Sequence, residues 1–158
     1  MNAKVAYLED RAVVAVAGPD AGHFLHNVVT ADIATLEAGE AAYGALLTPQ
    51  GKVLFDFFIL STDAAYLVDC ARDQMAGLIQ RLTMYKLRAD VSIEPDAGGK
   101  VYAIWDGTPP EAAKTYADPR CRDMGWRAIG PLQANASCEV YAALRVAVGG
   151  ADTMADSG

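Results

Sequence analysis

Asp56 is the side chain of this sequence best placed to do chemistry. It is the only charged residue in the run Val53–Leu60, which is otherwise apolar on both alternating faces, with Leu54, Phe58 and Leu60 on its own face. A carboxylate buried there needs a hydrogen bond, a charged partner or a raised pKa. Such groups are candidates for binding or acid–base work. The pattern equally fits an Asp56 that points to solvent at a partly wet strand edge.

Two short segments with arginine are further candidates. Asp118-Pro119-Arg120 and Gly125-Trp126-Arg127 each contain a guanidinium, whose planar fork can bind the carboxylate of a ligand or of the protein. A turn in which Asp118 and Arg120 bind local backbone groups is the alternative, and the sequence favours it over a ligand site.

Tyr141 and Arg145 are spaced i, i+4, so they share one face of a predicted helix. The tyrosine could stack on a flat ligand while the arginine reaches an acidic tail of that ligand. Core packing, with the arginine head at the surface, is the more common arrangement for such a pair.

Metal binding and triad catalysis have little support. His23 and His26 are the only histidines, and nothing around them completes the three or four ligands that zinc needs. Cys70, Cys121 and Cys138 are odd in number and form no C-x-x-C pair, so neither a disulfide framework nor a zinc ribbon is indicated. We expect no metal site and a reducing compartment.

Composition and charge limit the classes of partner. The 158 residues are 53% hydrophobic and carry 13 Lys and Arg against 20 Asp and Glu, a net charge of −7. An acidic globular protein is not expected to bind nucleic acid or an anionic membrane, because both carry negative charge. No apolar run approaches the roughly 20 residues of a membrane span, and no signal-peptide pattern is visible. We therefore expect a cytoplasmic location.

The elements that must position these residues alternate between strand and helix. The periodicity predicts strands over 12–16, 41–47, 52–60, 65–69 and 89–94, and helices over 19–29 and 72–85. Thr48-Pro49-Gln50-Gly51 has the composition of a tight hairpin turn. Apart from the short strand over 65–69, the order is strand, helix, strand, strand, helix, strand, which is that of a split β-α-β unit. We therefore predict an α+β, ferredoxin-like antiparallel sandwich.

A second unit is predicted after the Pro- and Gly-rich segment that begins at Pro95. The boundary separates a ferredoxin-like α+β unit, 1–95, from a partial α+β unit, 96–158. The second part has predicted strands at Val101–Trp105 and Trp126–Ile129, a Pro-rich stretch near Pro109, and a helix over Cys138–Val148. Because these elements are too few to close a domain, we expect an N-terminal fragment of a longer protein.

The motifs, taken in order, resemble the YgfZ family, which is related to the glycine-cleavage T-protein, an aminomethyltransferase. The resemblance is strongest to the iron–sulfur assembly branch of that family. It covers nearly the whole chain. The matching segments are Leu8–Val13, Gly18–Ala21 with Phe24-Leu25, Thr30–Asp32, Tyr43–Lys52 continuing to Asp56, Tyr85–Arg88, Asp118–Arg120, Gly125–Arg127 and Tyr141–Gly149.

The resemblance implies a tetrahydrofolate-binding accessory protein that supports iron–sulfur cluster assembly or repair, including in tRNA-modifying enzymes. Its partners would be folate and iron–sulfur client or assembly proteins. Asp56 would face the folate and carry any catalysis, and Tyr141 would lie against the folate. Arg120 and Arg145 are the further candidate cofactor-binding residues. The alternative is a tetrahydrofolate-dependent aminomethyltransferase, which needs Asp56 close to the folate N10.

The chain also departs from the family. Arg11 stands where a second family aromatic would contact the folate, and Ala147 stands where the T-protein has a pterin-binding glutamate. Losing that acceptor removes a charge-assisted hydrogen bond worth about 1.5–3 kcal/mol, which weakens the aminomethyltransferase alternative. The family signature Lys-Gly-Cys-(Phe or Tyr)-x-Gly-Gln-Glu would lie downstream of these residues, as would the C-terminal β-barrel.

Overall fold

The computed structural model describes residues 3–96, 99–107, 114–119, 125–130, 132, 134–136 and 141. The chain divides into two compact units. The first unit is Asp10–Ala97, and the second unit combines Met1–Glu9 with Gly98–Gly158. The N-terminal strand β1 (Lys4–Tyr7) therefore belongs to the second unit. The division predicted from sequence instead assigned all of residues 1–95 to the first unit.

An antiparallel five-stranded sheet with two helices forms the first unit. Its strand order is β3-β4-β5-β2-β6, and a 3-10 turn at Arg72–Gln74 leads into the second helix. In chain order the elements are β2 (Arg11–Ala17), α1 (Ala21–Val28), β3 (Ala41–Leu47), β4 (Val53–Ser61), β5 (Tyr66–Ala71), α2 (Met75–Lys86) and β6 (Ser92–Pro95).

The α+β class with antiparallel pairing is confirmed, but the sheet has one strand more than a split β-α-β unit. Between the two helices the chain forms a three-stranded meander, β3-β4-β5, where the ferredoxin-like order has two strands. The predicted strand over 65–69 is this additional element. It lies between β4 and β2 and pairs with both.

Both helices pack on the same face of this sheet. Leu25 of α1 and Leu78 of α2 belong to one buried apolar cluster with Phe57 and Ile59 of β4. Because successive strand residues point to opposite faces, Asp56 and its neighbours two residues away point away from α1 and α2. We call that side of the sheet the opposite face.

The β3–β4 hairpin fixes the position of Asp56 on the opposite face. Gly51, at φ +88°, completes the predicted turn and donates its N–H to the Thr48 carbonyl at 2.9 Å. The resulting register places Asp56 across from Ala45. Thr30 holds the outer edge of β3, because its hydroxyl accepts from the Ala45 N–H at 2.9 Å.

The second unit contains an antiparallel four-stranded sheet with the order β1-β7-β9-β8. Its other strands are β7 (Val101–Trp105), β8 (Lys114–Ala117) and β9 (Trp126–Ile129). The sequence predicted β7 and β9 with these bounds and missed β1 and β8, each four residues long. Of the helix predicted over Cys138–Val148, only Tyr141 lies within the described residues.

The residue before β9 must be glycine, because the backbone of β7 lies too close to leave room for a side chain there. Gly125 has φ +82°, and a Cβ atom at that position would lie 2.3 Å from the Ile104 carbonyl oxygen. The predicted Gly125-Trp126-Arg127 segment is therefore a turn into a strand, which places Arg127 in the middle of β9.

Candidate functional site

Asp56 lies on the opposite face of the first unit and is 9% exposed. Its carboxylate accepts a hydrogen bond from the hydroxyl of Tyr43 on the neighbouring strand β3. The alternative of a solvent-facing Asp56 is therefore wrong: this carboxylate is buried and hydrogen-bonded. That is the arrangement in which a carboxylate keeps strong acceptor capacity in a low-dielectric site.

An aromatic pair lies beside this carboxylate. The rings of Tyr43 and Phe58 are 5.1 Å apart, centroid to centroid, and inclined by 53°. The two residues are direct cross-strand partners in the register of β3 and β4. Tyr43 is 37% exposed whereas Phe58 is 1% exposed. The Tyr43 ring is therefore accessible at the edge strand β3, and the Phe58 ring is buried beside it on β4.

A buried ion pair continues this arrangement towards β2 and β5. The Nε of Arg11 lies 2.8 Å from Oδ1 of Asp69, and its Nη2 donates to the Asp69 carbonyl at 2.9 Å. The guanidinium carbon is 5.9 Å from the centroid of the Phe58 ring, within the range of a cation–π contact. We call the five residues Asp56, Tyr43, Phe58, Arg11 and Asp69 the Asp56 cluster.

Four members of the Asp56 cluster were not among the residues predicted from the sequence as site members: Tyr43, Phe58, Arg11 and Asp69. Asp69 had a usable signal, because it is the only charged residue in the strand Tyr66–Ala71, as Asp56 is in its own run. Arg11 begins an apolar strand in the same way. Tyr43 carried no such signal, because tyrosine is common on half-exposed strands.

Cys70 points to the face covered by the helices and is not a reactive thiol. The pKa of this thiol is raised to about 12. Burial is the largest cause, the negative charge of Asp69 adds to it, and the positive charge of Arg11 opposes it by a smaller amount. Because the thiolate is the nucleophilic and metal-binding form, Cys70 is suited to core packing.

The second unit contains the other sequence candidates that the structure describes. Tyr141 is 3% exposed, its ring lies 5.6 Å from that of Trp105, and its hydroxyl is 3.5 Å from Nη1 of the buried Arg127. Asp118 is also buried, and its N–H donates to the Gly125 carbonyl at 3.0 Å. Tyr141 is thus packed against an indole and an arginine. Arg120 and Arg145 lie outside the described residues.

His26 holds the loop that follows α1, whereas His23 contacts a residue of α1 itself. Nδ1 of His26 accepts from the backbone N–H groups of Ile33 and Ala34 at 3.2 and 3.3 Å, and Nε2 of His23 lies 3.1 Å from the Asn27 amide. In the described part of the chain, no group of three or more His, Cys, Asp or Glu is arranged to hold a metal ion. Nor is any helix there long and apolar enough to cross a bilayer.

A depression of about 320 Å³ lies at the beginning of α1, next to the β4–β5 connection. None of the residues that line it belongs to the Asp56 cluster, and none was predicted as a site residue. Its lining includes Gly18, Pro19, His23, Thr62 and Tyr66.

Residues 8–95, more than half of the chain, match the model of the GCVT N-terminal domain family. The iron–sulfur cluster assembly factor IBA57, mitochondrial, of Mus musculus is 30% identical over 148 residues, covering 77% of this chain and 41% of that protein. Its Homo sapiens counterpart is 27% identical over 147 residues, with the same coverages. The IBA57 homolog of Pyricularia oryzae is 32% identical over 136 residues, covering 78% of this chain and 35% of that protein.

The chain thus spans about two fifths of the length of the mammalian relatives. Among solved structures, the glycine cleavage system aminomethyltransferase T from Bartonella henselae superposes with a TM-score of 0.59. The two chains are 18% identical, and the superposition covers 65% of this chain and 28% of that one. At this identity the likeness shows a shared fold.

These findings correct one expectation and confirm another. The expected cytoplasmic location is contradicted, because the matched relatives are named as mitochondrial proteins. The resemblance to the YgfZ and T-protein group is confirmed by the family model, the relatives and the shared fold. The chain therefore belongs to the GCVT N-terminal domain family.

Proposed function

We propose that this protein binds tetrahydrofolate through Asp56 and acts as an accessory factor in iron–sulfur cluster assembly. The observation that carries the folate proposal is the buried Asp56 carboxylate, hydrogen-bonded to Tyr43 beside the Tyr43–Phe58 ring pair. The assembly role is supported by the names of the relatives, which are iron–sulfur cluster assembly factors.

The chemistry of the Asp56 cluster suits a flat heterocycle with N–H donors, as a reduced pterin is. An ionised carboxylate has two oxygens and about four acceptor positions, so the Tyr43 hydroxyl occupies only part of its capacity. The partly exposed Tyr43 ring offers an edge or face for aromatic contact. Because the carboxylate is largely removed from water, a ligand N–H that reaches it makes a strong, charge-assisted hydrogen bond.

The other residues of the proposed folate site are assigned from the sequence alone. Tyr141 is proposed to lie against the folate, and its packing on Trp105 is also what a core tyrosine would show. Arg120 and Arg145 are proposed to bind the acidic tail of the folate, because a guanidinium pairs with a carboxylate in a bidentate fork.

Titration calorimetry with tetrahydrofolate under anaerobic conditions tests the proposal on the full-length gene product. We expect Asp56→Asn to bind about 10–100-fold more weakly, because it loses a charge-assisted hydrogen bond worth about 1.5–3 kcal/mol. Asp63→Asn is the matched control, since Asp63 is exposed in the β4–β5 connection. It makes the same chemical change and should leave the affinity unaltered.

The outcomes separate the parts of this proposal. Equal affinities of Asp56→Asn and Asp63→Asn would contradict a folate site at Asp56, and a wild-type protein that does not bind would contradict folate binding altogether. The assembly role is tested by the activity of iron–sulfur enzymes in cells that lack the gene. Complementation by the wild-type gene supports that role, and its failure contradicts it. One-carbon transfer that falls with Asp56→Asn would instead identify an aminomethyltransferase.

A further inference from the structure

We propose that Arg11 and Asp69 are a positioning pair, which fixes the Phe58 ring and thereby the Tyr43 side chain whose hydroxyl bonds Asp56. The inference rests on the proposed function only in taking Asp56 as the ligand-binding group. Neither Arg11 nor Asp69 needs to touch the ligand.

The first step is that the guanidinium is held in one orientation. Nε and Nη2 of Arg11 donate to two different oxygens of Asp69, one in the carboxylate and one in the main chain, at 2.8 and 2.9 Å. Two donors of a planar group bound to one residue fix both the position and the plane of that group. Arg11 and Asp69 are 4% and 0% exposed, so water does not compete for these bonds.

The second step is that Phe58 lies between this guanidinium and Tyr43. Its direct partner across β4 and β5 is Asp69, and its direct partner across β3 and β4 is Tyr43. The Arg11 guanidinium is 5.9 Å from the ring centroid on one side, and the Tyr43 ring is 5.1 Å away on the other. A change in the tilt of the Phe58 ring would therefore disturb both contacts, and through Tyr43 it would reach Asp56.

The third step separates positioning from stability. Buried ion pairs add little net stability, because desolvation offsets their attraction, and apolar replacement of both partners is often neutral or stabilising. Removing one partner is strongly destabilising, since it leaves an uncompensated buried charge. A double apolar replacement therefore keeps the fold while removing the geometry that the pair imposes.

The test compares wild type with Arg11→Met, Asp69→Leu and the double variant Arg11→Met/Asp69→Leu in the full-length gene product. Urea unfolding measures stability, and fluorine NMR of protein labelled with 3-fluorotyrosine reports on Tyr43, whose signal is assigned by its loss in Tyr43→Phe. Calorimetry measures the affinity for tetrahydrofolate. Arg81→Lys is the control, because Arg81 is exposed on α2.

We expect each single variant to be less stable and the double variant to regain most of the loss. In the double variant the ligand-free Tyr43 signal should still shift or split, and tetrahydrofolate should bind at least fivefold more weakly. Arg11→Lys keeps the charge but not the planar fork, so it should show the same shifted signal in a folded protein even where the double variant does not fold.

An unchanged Tyr43 signal in the double variant, or in Arg11→Lys where the double variant does not fold, would overturn the positioning role whatever happens to affinity. A shifted signal with unchanged affinity would also overturn it, because the displaced tyrosine would then have no consequence for binding. A shifted signal in a protein whose wild type does not bind tetrahydrofolate would support the positioning of Tyr43 and contradict the folate proposal.

Discussion

Cys70 and Asp69 are adjacent in β5, and their side chains therefore lie on opposite faces of one sheet. The thiol is buried against the helices, and burial raises its pKa to about 12. We expect iodoacetamide at pH 8 to alkylate native Cys70 at least about 100-fold more slowly than the urea-unfolded chain, because the thiolate is the reacting form. Mass spectrometry of the peptide that contains Cys70 measures its alkylation separately from that of the other cysteines. Equal rates in native and unfolded protein would contradict the assigned burial.

The same thiol makes stability depend on pH in the alkaline range. Cys70 has an ordinary pKa of 9.0 in the unfolded chain and about 12 in the folded chain. Folding therefore keeps the proton on, and this contribution to stability is complete below pH 9 and is lost as the pH rises from 9 towards 12. Cys70→Ala should remove that component of the alkaline decline in urea unfolding.

At the scale of a single element, α2 ends on a strained residue. Leu87 follows the last helical residue, has φ +47°, and is 85% exposed. Glycine is the usual residue at a helix end with positive φ, because a Cβ atom there is strained by about 1–2 kcal/mol. We expect Leu87→Gly to raise the free energy of unfolding by about 1 kcal/mol, measured by urea denaturation.

The control for this prediction is Leu87→Ala. Alanine removes the same exposed apolar side chain but keeps the Cβ atom, so relief of strain predicts no gain from it. A similar gain from alanine and glycine would show that the exposed leucine side chain, rather than the backbone conformation, limits stability.

Local pattern predicted the elements that carry a strong periodic signal. The strands over 41–47 and 101–105 appear with the predicted bounds, and the two helices of the first unit end within one residue of the predicted positions. β1 and β8 were missed because four residues are too few to display an alternation. The three strands of the meander were each predicted, but the split β-α-β order has only two strands between its helices, so the strand over 65–69 was not accounted for in the predicted fold.

At the scale of the whole molecule, the limit of local pattern separates Asp56 from the residues around it. A lone carboxylate in an apolar strand is visible in the local sequence, so Asp56 could be predicted. Arg11 and Asp69 are 58 residues apart, and only the pairing of β2 with β5 brings them together. The sequence showed Arg11 as a departure from a family pattern. The structure shows instead where its charge is compensated.

The two units should also unfold separately, since each has its own buried core and β1 contributes to only one of them. Val5 is 5% exposed, lies opposite Ile104, and packs in the core of the second unit. An aspartate at position 5 would bury a carboxylate in an apolar core, which should lower the free energy of unfolding of the second unit by roughly 3 kcal/mol or more.

Hydrogen exchange measured by mass spectrometry distinguishes the units in the full-length gene product. For Val5→Asp we expect amide protection to fall in β7 and β9 and to persist in β4 and β5, because locally cooperative units open with their own free energies. Val53→Asp is the matched control, since Val53 is 59% exposed and the change buries no charge. Equal loss of protection in β4 and β7 would mean that the two cores unfold as one, and that the N-terminal strand stabilises the Asp56 cluster as well as its own sheet.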